Sequence, residues 1–464
     1  MLDIFIIGAG PHSLAAVSRL YEDTPSALYS DFEHARLHWL RKHAKPGKTE
    51  RIVPDDVAEG RESPSKQRKT PQSPSRTKND VTEKRPKVMV MDKQAARFMG
   101  TWDTFFDAFK IKHLRSPLFF HPHPGDLDAL KSYAHANDRA KALIEIENVV
   151  GTEWSKHQKK AARIKGKAPQ QPHINLRDIS DYFIPSTPLF KSFIHSEVIE
   201  RYSLQSIVQK GLVTSVKYHA HSDPTTRYSS DSLFKSLDDS DSYFTIESGD
   251  GQVFHSKAVI MSIGPGGIPN VPDYLSGGRS GMIDGEGWCH TAAFLKPGRT
   301  LLPKEDVRLT EKITSGKGGT LLVIGGGLTS VQIADLALSN GFTKVVFVAR
   351  SFIKVKPFDI GIEWVGKYSN LLKMMFYQED DPSARLNQFR TARNGGSVPA
   401  AYYKLLQSHA KAGKLDLRTQ TTIQSLVRDT TTGTWSVEVE HRCLKKAAVK
   451  CPRMEKAELR ANGK

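Results

Sequence analysis

A chain of 464 residues, 38% apolar and 25% charged, has room for two or three domains and the composition of an ordinary globular protein. It contains no run near the roughly 18 apolar residues of a membrane span, and a first strand beginning at residue 2 leaves no room for a signal peptide. Its three cysteines form no C-x-x-C pair, which excludes a disulfide framework and a dithiol reductase and points to a reducing, cytoplasmic setting. The net charge of +17 invites a nucleic-acid reading, which the placement of that charge along the chain removes.

Leu2–Ile7 is an apolar run short enough for a buried strand, and it empties into Gly8-Ala9-Gly10-Pro11-His12-Ser13. Leu14, Ala15, Val17 and Leu20 then carry helical spacing. Strand, glycine turn and helix form the context that a dinucleotide fingerprint requires. Gly8 permits the sharp turn, and Gly10 lets backbone approach a pyrophosphate. Ser13, in place of a third glycine, is small enough for close helix–strand packing. Pro11 suits the first helical turn, and the positive helix end faces the phosphates.

Residues 41–86 are rich in Lys, Arg, Ser and Pro, with a basic surplus of six, and are expected to be disordered. Order resumes in a strand, Lys87–Asp92. An acid at the end of the second strand accepts hydrogen bonds from ribose hydroxyls, which makes Asp92 the expected ribose ligand; the insertion accounts for its distance from the first turn. Trp102–Phe109 reads as a short helix. His113–Pro124 is aromatic, apolar and proline-rich, as a loop packed over a flat ligand would be, and its His-x-His step lacks the companions of a metal site. Residues 126–137 read as a helix, and 151–170 as a second insertion with a basic surplus of five. Residues 185–203 read as one helix capped by Ser186 or Thr187. Strands at 212–219, 243–248 and 253–261 follow, the first two separated by the polar stretch 221–242. The last runs into Gly264-Pro265-Gly266-Gly267, where a backbone could again approach a ligand.

The fingerprint recurs at Thr320–Ser330: a strand, then Gly325-Gly326-Gly327-Leu328-Thr329-Ser330, then a helix through Ala337. The next strand, Lys344–Ala349, ends in Arg350. An acid there would favour the free ribose hydroxyl of NAD, whereas Arg favours the 2′-phosphate of NADPH, with Lys354 placed to assist. Residues 398–411 read as a helix, and 415–428 with 434–441 as a strand pair. The basic tail 442–464 carries a surplus of six, so the three basic segments account for the whole net charge and leave the remainder neutral. Solvated charge on insertions is the expectation, with an electrostatic docking arm as the alternative.

Two fingerprints, the second selecting NADPH, suggest hydride passing from nicotinamide to a bound flavin. At this point the chain resembles the flavin-dependent N-hydroxylating monooxygenases of the lysine/ornithine N-hydroxylase-like group. The resemblance rests on Gly8–Pro11, the His113–Pro124 loop, Ile184–Tyr202, Trp288-Cys289-His290-Thr291, Gly264–Pro272 and Gly325–Ser330 with Arg350. It implies an α/β fold of two Rossmann-like domains, FAD-binding over 1–299 and NADPH-binding over 300–441. It also implies FAD and NADPH as cofactors, and dioxygen with an amine-like small molecule as substrates. The oxygen would reach the amine through a C4a-hydroperoxyflavin. On this resemblance Leu114–Phe120 would wall the flavin ring with Trp102 nearby, and Arg115 would orient NADPH or a substrate carboxylate, or else cap a buried loop. Members of the group return to the flavin domain near the C-terminus, where this chain has its basic tail. The substrate-contacting lysine of amino-acid N-hydroxylases is not found within Leu114–Phe120. Oxygenation of sulfur or a ketone, and a non-catalytic flavoprotein-like scaffold, stay open as alternatives.

Overall fold

The structure, a computed structural model, describes residues 1–23, 85–121, 123–126, 128–146, 149, 160, 182–220, 242–264, 269–296, 299–302, 307–365 and 369–442. Nearly all of the expected insertion 41–86, of the basic stretch 151–170 and of the polar stretch 221–242 lies outside these residues, as do residues 265–268 and the tail beyond Arg442. The chain divides into two compact units, Met1–Asp103 with Lys112–Gly266, and Thr104–Ile111 with Gly267–Lys464.

In the first unit, β1 (Leu2–Ile7) leads through the glycine turn into α1 (Pro11–Leu20). β2 (Val88–Asp92), β3 (Leu143–Glu145), β4 (Phe183–Pro185), β5 (Val208–Lys210), β6 (Val213–His219), β7 (Tyr243–Ser248) and β8 (Val253–Met261) follow. Six of these strands make one sheet in the order β5-β2-β1-β8-β7-β6. The β5-β2-β1-β8 half is parallel, and β6 and β7 extend it as an antiparallel meander. β1 lies inside the parallel half, so after Asp3 its sequence is a continuous apolar run, Ile4–Ile7, with Phe5 and Ile6 fully buried. Phe5, Met91 and Ile246 form a core on the sheet, and α1 buries Leu14 and Val17.

The segment expected as one helix over 185–203 is divided. Phe183–Pro185 pairs antiparallel with Leu143–Glu145, Thr187–Phe193 is α-helical, and Ile194–Glu200 is a run of π-turns. Ser186 is the cap: its Oγ accepts the Leu189 N–H at 3.3 Å. Pro188 in the first turn lacks an N–H to lose, and Pro185 before the cap favours extended backbone.

In the second unit, β9 (Asp284–Gly285) and β10 (Trp288–Cys289) form a small hairpin. β11 (Thr320–Ile324), β12 (Lys344–Val348) and β13 (Leu415–Arg418) make a parallel sheet. α2 (Leu328–Ser339) follows the second glycine turn, and two consecutive helices, α3 (Ser369–Gln378) and α4 (Pro382–Arg393), precede α5 (Ala400–Lys411). Val345, Phe347, Val331, Ala334 and Leu406 form the core between this sheet and α2 and α5. The stretch expected as a single strand over 415–428 breaks at Gln420, whose φ is +54°. Leu415–Arg418 joins the parallel sheet, and β14 (Thr421–Arg428) pairs separately with β15 (Trp435–His441). Phe109, in the segment Thr104–Ile111, packs on Phe294 and Leu336.

Candidate functional site

The first glycine turn lies at the carboxyl ends of β1, β2 and β8, the edge at which open α/β sheets bind ligands. Gly8 has φ +99°, and a Cβ there would stand 2.5 Å from the Ser262 carbonyl oxygen. Its N–H donates to Met91 O at 2.7 Å, and Ser262 N–H donates to Ile7 O at 2.8 Å. Three strands therefore hold the turn, and only glycine fits it. Gly10, the cap residue of α1, differs: no heavy atom lies within 4 Å of where its Cβ would stand. Pro11 occupies the first turn, and the His12 and Ser13 N–H groups precede the first intrahelical bond, from Leu14 N to Gly10 O. An open glycine at a helix N-terminus fits an anionic group.

Asp92 closes this turn from the side. Its Oδ2 accepts the Ala9 N–H at 3.0 Å, and its Oδ1 accepts the N–H groups of Gln94 and Ala95 at 2.8 and 3.2 Å. Met99 N–H donates to Ala9 O at 2.8 Å, so both backbone polar groups of Ala9 are held by the 92–99 loop. An ionised carboxylate has about four acceptor positions, so one is left for a ribose hydroxyl. The structural role of Asp92 links positions 83 residues apart, which no local pattern announces.

Ser13 is fully buried, and among the described residues its Oγ has no hydrogen-bond partner. A buried hydroxyl left unpaired costs about 1–3 kcal/mol. Ser13→Ala is therefore expected to stabilise the ligand-free protein by roughly 1 kcal/mol once the lost packing is subtracted, read as a higher thermal midpoint. A fall of similar size in a thermal melt would mean that the hydroxyl is paired.

An aromatic group stands in the same unit. The Trp102 ring lies 5.6 Å from Phe190, whose other neighbour is the His121 ring at 4.6 Å. Lys191 Nζ lies 6.0 Å from the centre of the Trp102 ring and 3.2 Å from Asp103 Oδ1, and Arg97 pairs with the other oxygen of Asp103. Leu114 is buried, its N–H donating to Pro185 O at 3.0 Å, and Arg115 beside it is half-buried. The sequence reading missed Phe190, Lys191 and Asp103, whose spacing signals only a helix face.

His121 Nε2 lies 3.3 Å from Ser116 O. A carbonyl can only accept, so the proton sits on Nε2 and Nδ1 carries the lone pair. Burial pushes this imidazole down to about 4, so it is neutral at pH 7. With the folded value below the unfolded value near 6.5, the unfolded chain takes the proton first. The His121 contribution is complete above pH 6.5 and is lost as pH falls towards 4. His121→Gln should flatten the decline in unfolding free energy from urea melts across that window by on the order of 1–2 kcal/mol; parallel curves for the two proteins would count against the assignment. His123 does not join His121 as a ligand pair, since its Nδ1 accepts the Asp126 N–H at 3.0 Å. Among the described residues no three His, Cys, Asp or Glu side chains are grouped to hold a metal ion. Gly264, at φ +64° two residues beyond Ser262, has open space at its Cβ position.

The second glycine turn repeats the first at the end of β11. Gly325 has φ +140°, its N–H donates to Val348 O at 2.9 Å, and a Cβ would stand 2.7 Å from Ser330 Oγ. Gly327 caps α2, which makes Ser330 its third residue, the place Ser13 takes in α1. Arg350 follows β12, exposed and with no polar partner among the described residues. Lys354 is engaged: its ammonium donates to the backbone oxygen and to Oδ1 of Asn394 at 2.6 and 2.9 Å. His290, within the Trp288–Thr291 motif, uses Nδ1 to accept the Ala292 N–H at 3.1 Å and so caps the turn that follows.

No protein-family model matches the chain, and no curated protein matches it. Among solved structures, it is similar to the reduced form of the ornithine hydroxylase PvdA from Pseudomonas aeruginosa, at 14% identity, over 95% of this chain and 77% of that one, with a TM-score of 0.47. It is likewise similar to the FAD-bound cadaverine monooxygenase DfoA from Erwinia amylovora, at 11% identity, 95% and 73% coverage and a TM-score of 0.46. The ornithine N-hydroxylase KtzI from Kutzneria sp. 744, with reduced FAD, NADP+ and L-ornithine, gives 12% identity, 95% and 76% coverage and 0.46. Among the described residues no helix is long and apolar enough to cross a membrane.

Proposed function

We propose that this chain is an FAD- and NADPH-dependent monooxygenase that hydroxylates the nitrogen of a small amine. The observation that carries the reading is the pair of glycine turns, each leaving the first strand of a parallel arrangement and each ending in a glycine at a helix N-terminus. In the first, Gly8, Gly10, Pro11, Ser13, Asp92 and Gly264 would hold FAD, with Trp102 and Leu114 on the ring side. In the second, Gly325, Gly327 and Ser330 would hold the pyrophosphate of NADPH, with Arg350 on the 2′-phosphate. Two such sites give electrons an entry and an exit, and a guanidinium without a partner suits a phosphate better than a ribose hydroxyl.

Bound FAD supplies the chemistry, accepting two electrons from NADPH and passing one atom of dioxygen to a nucleophile. The chain supplies position and shelter. Gly8 fixes the turn, Asp92 holds the Ala9 peptide, and the helix end neutralises phosphate charge. The Trp102–Phe190–His121 group would shield one side of the flavin ring from water, and a neutral His121 would add no charge there. Arg115 would orient a carboxylate or the nicotinamide nucleotide. Nitrogen as the oxygen acceptor rests on the family resemblance in the sequence.

The test is oxygen consumption with NADPH across amines, thioethers and ketones, with product analysis. A hydroxylamine formed stoichiometrically with NADPH consumed is expected. A sulfoxide or an ester in its place would move the activity to sulfur or carbon, and turnover with none of them would leave the scaffold reading.

A further inference from the structure

The sequence offers Lys354 as an aid to Arg350 in binding the 2′-phosphate, and in the structure its ammonium is engaged by Asn394. It donates to both oxygens of Asn394, the residue that ends α4 in the left-handed conformation. The chain on either side is tied to the same segment. Val398 N–H donates to Lys354 O at 2.8 Å, Lys356 N–H donates to Val398 O at 3.1 Å, and Lys356 Nζ lies 3.3 Å from Arg393 O. These bonds fix a short strap, Asn394-Gly395-Gly396, against the second glycine turn. A Cβ on Gly396 would stand 3.2 Å from Gly327 Cα, and a Cβ on Gly327 would stand 3.9 Å from Gly396 Cα. The strap is exposed, and among the described residues the Gly395 and Gly396 N–H groups have no acceptor. A backbone donor, the Gly396 N–H, therefore stands on the residue that packs against Gly327, the glycine at which a pyrophosphate approaches a fingerprint turn.

We propose that Lys354 is a positioning residue that sets the Asn394–Gly396 strap as the second wall of the nucleotide site, and so governs binding of nicotinamide dinucleotides with and without a 2′-phosphate alike. This rests on the proposed function, since it presumes that the second turn takes a dinucleotide. The strap meets the part of the ligand that NADPH and NADH share. Arg350, at the end of β12, would meet the part in which they differ. A cation at the carboxyl end of α4 also suits that helix dipole, which is why the strap is preformed rather than ordered by the ligand.

The experiment uses the full-length protein and measures dissociation constants for NADPH and NADH, with a thermal melt of each variant. Lys354→Met should weaken both nucleotides about fivefold to tenfold, with little change in melting temperature, because the side chain lies at the surface. Lys354→Arg, which keeps a cationic donor, should recover most of that loss for both. Gly396→Ala, which leaves Lys354 intact and pushes a methyl group at Gly327, should weaken both by a similar factor. Loss confined to NADPH in Lys354→Met would overturn the proposal and return Lys354 to the 2′-phosphate. Unchanged affinities would also overturn it. Wild-type protein that binds neither nucleotide would instead refute the proposed function, and this inference with it.

Discussion

Replacing Gly8 with alanine is expected to abolish retention of flavin and to destabilise the first unit by about 2–6 kcal/mol. Two costs combine. Backbone at φ +99° is one that residues with a Cβ rarely adopt, and the added methyl would stand 2.5 Å from the Ser262 carbonyl, which β1 holds in place through its own hydrogen bond. Folded domains are stable by only about 5–15 kcal/mol, so much of the available margin is consumed. Gly10→Ala is the matching control. Its φ of −82° suits any residue and its Cβ would meet nothing, so the fold should be kept while the methyl obstructs the approach to the α1 terminus. Thermal melts and flavin content of the two variants separate scaffold from ligand contact. A Gly8→Ala protein that melts like wild type would show that the turn can open away from Ser262. A Gly10→Ala protein with full flavin occupancy would argue against phosphate at that helix.

Arg350→Ala is expected to weaken NADPH binding roughly 10–150-fold and to spare NADH. That range corresponds to about 1.5–3 kcal/mol, the worth of a hydrogen bond to a charged group. The side chain is exposed and holds no structural partner among the described residues, so its removal should leave stability within about 0.5 kcal/mol. Equal losses for the two nucleotides would refute a role on the 2′-phosphate. Paired with Lys354→Met, the measurement divides the second site into a portion that reads the phosphate and a portion that reads the common pyrophosphate.

The two strand–turn–helix units were legible in the sequence because each is local. Leu2–Leu20 and Thr320–Ser339 carry an apolar run, glycines and helical spacing within twenty residues, and the structure places β1, α1, β11 and α2 there. What holds those turns in place is not local. Asp92 reaches Ala9 across 83 residues, Ser262 seats Gly8 from a third strand, and Gly396 meets Gly327 from beyond α3 and α4. The Gly395-Gly396 pair was the one available signal for that last contact, since consecutive glycines mark close backbone approach. Strand and helix limits failed where a single residue changes direction. Gln420 with positive φ divides one expected strand, and the helix capped at Ser186 changes from α to π-turns at Ile194, which its apolar spacing does not announce. α3 and α4 were not foreseen because many of their apolar residues, among them Leu371, Met375, Tyr377 and Phe389, are exposed and give no clear buried stripe.

Entry of electrons at the second glycine turn and their exit at the first can be followed by anaerobic titration of the flavin-loaded protein with NADPH. Visible flavin absorbance should bleach as NADPH is added and return when air is admitted. Flavin that binds but stays oxidised under excess NADPH, or a chain that takes up no FAD on reconstitution, would contradict it.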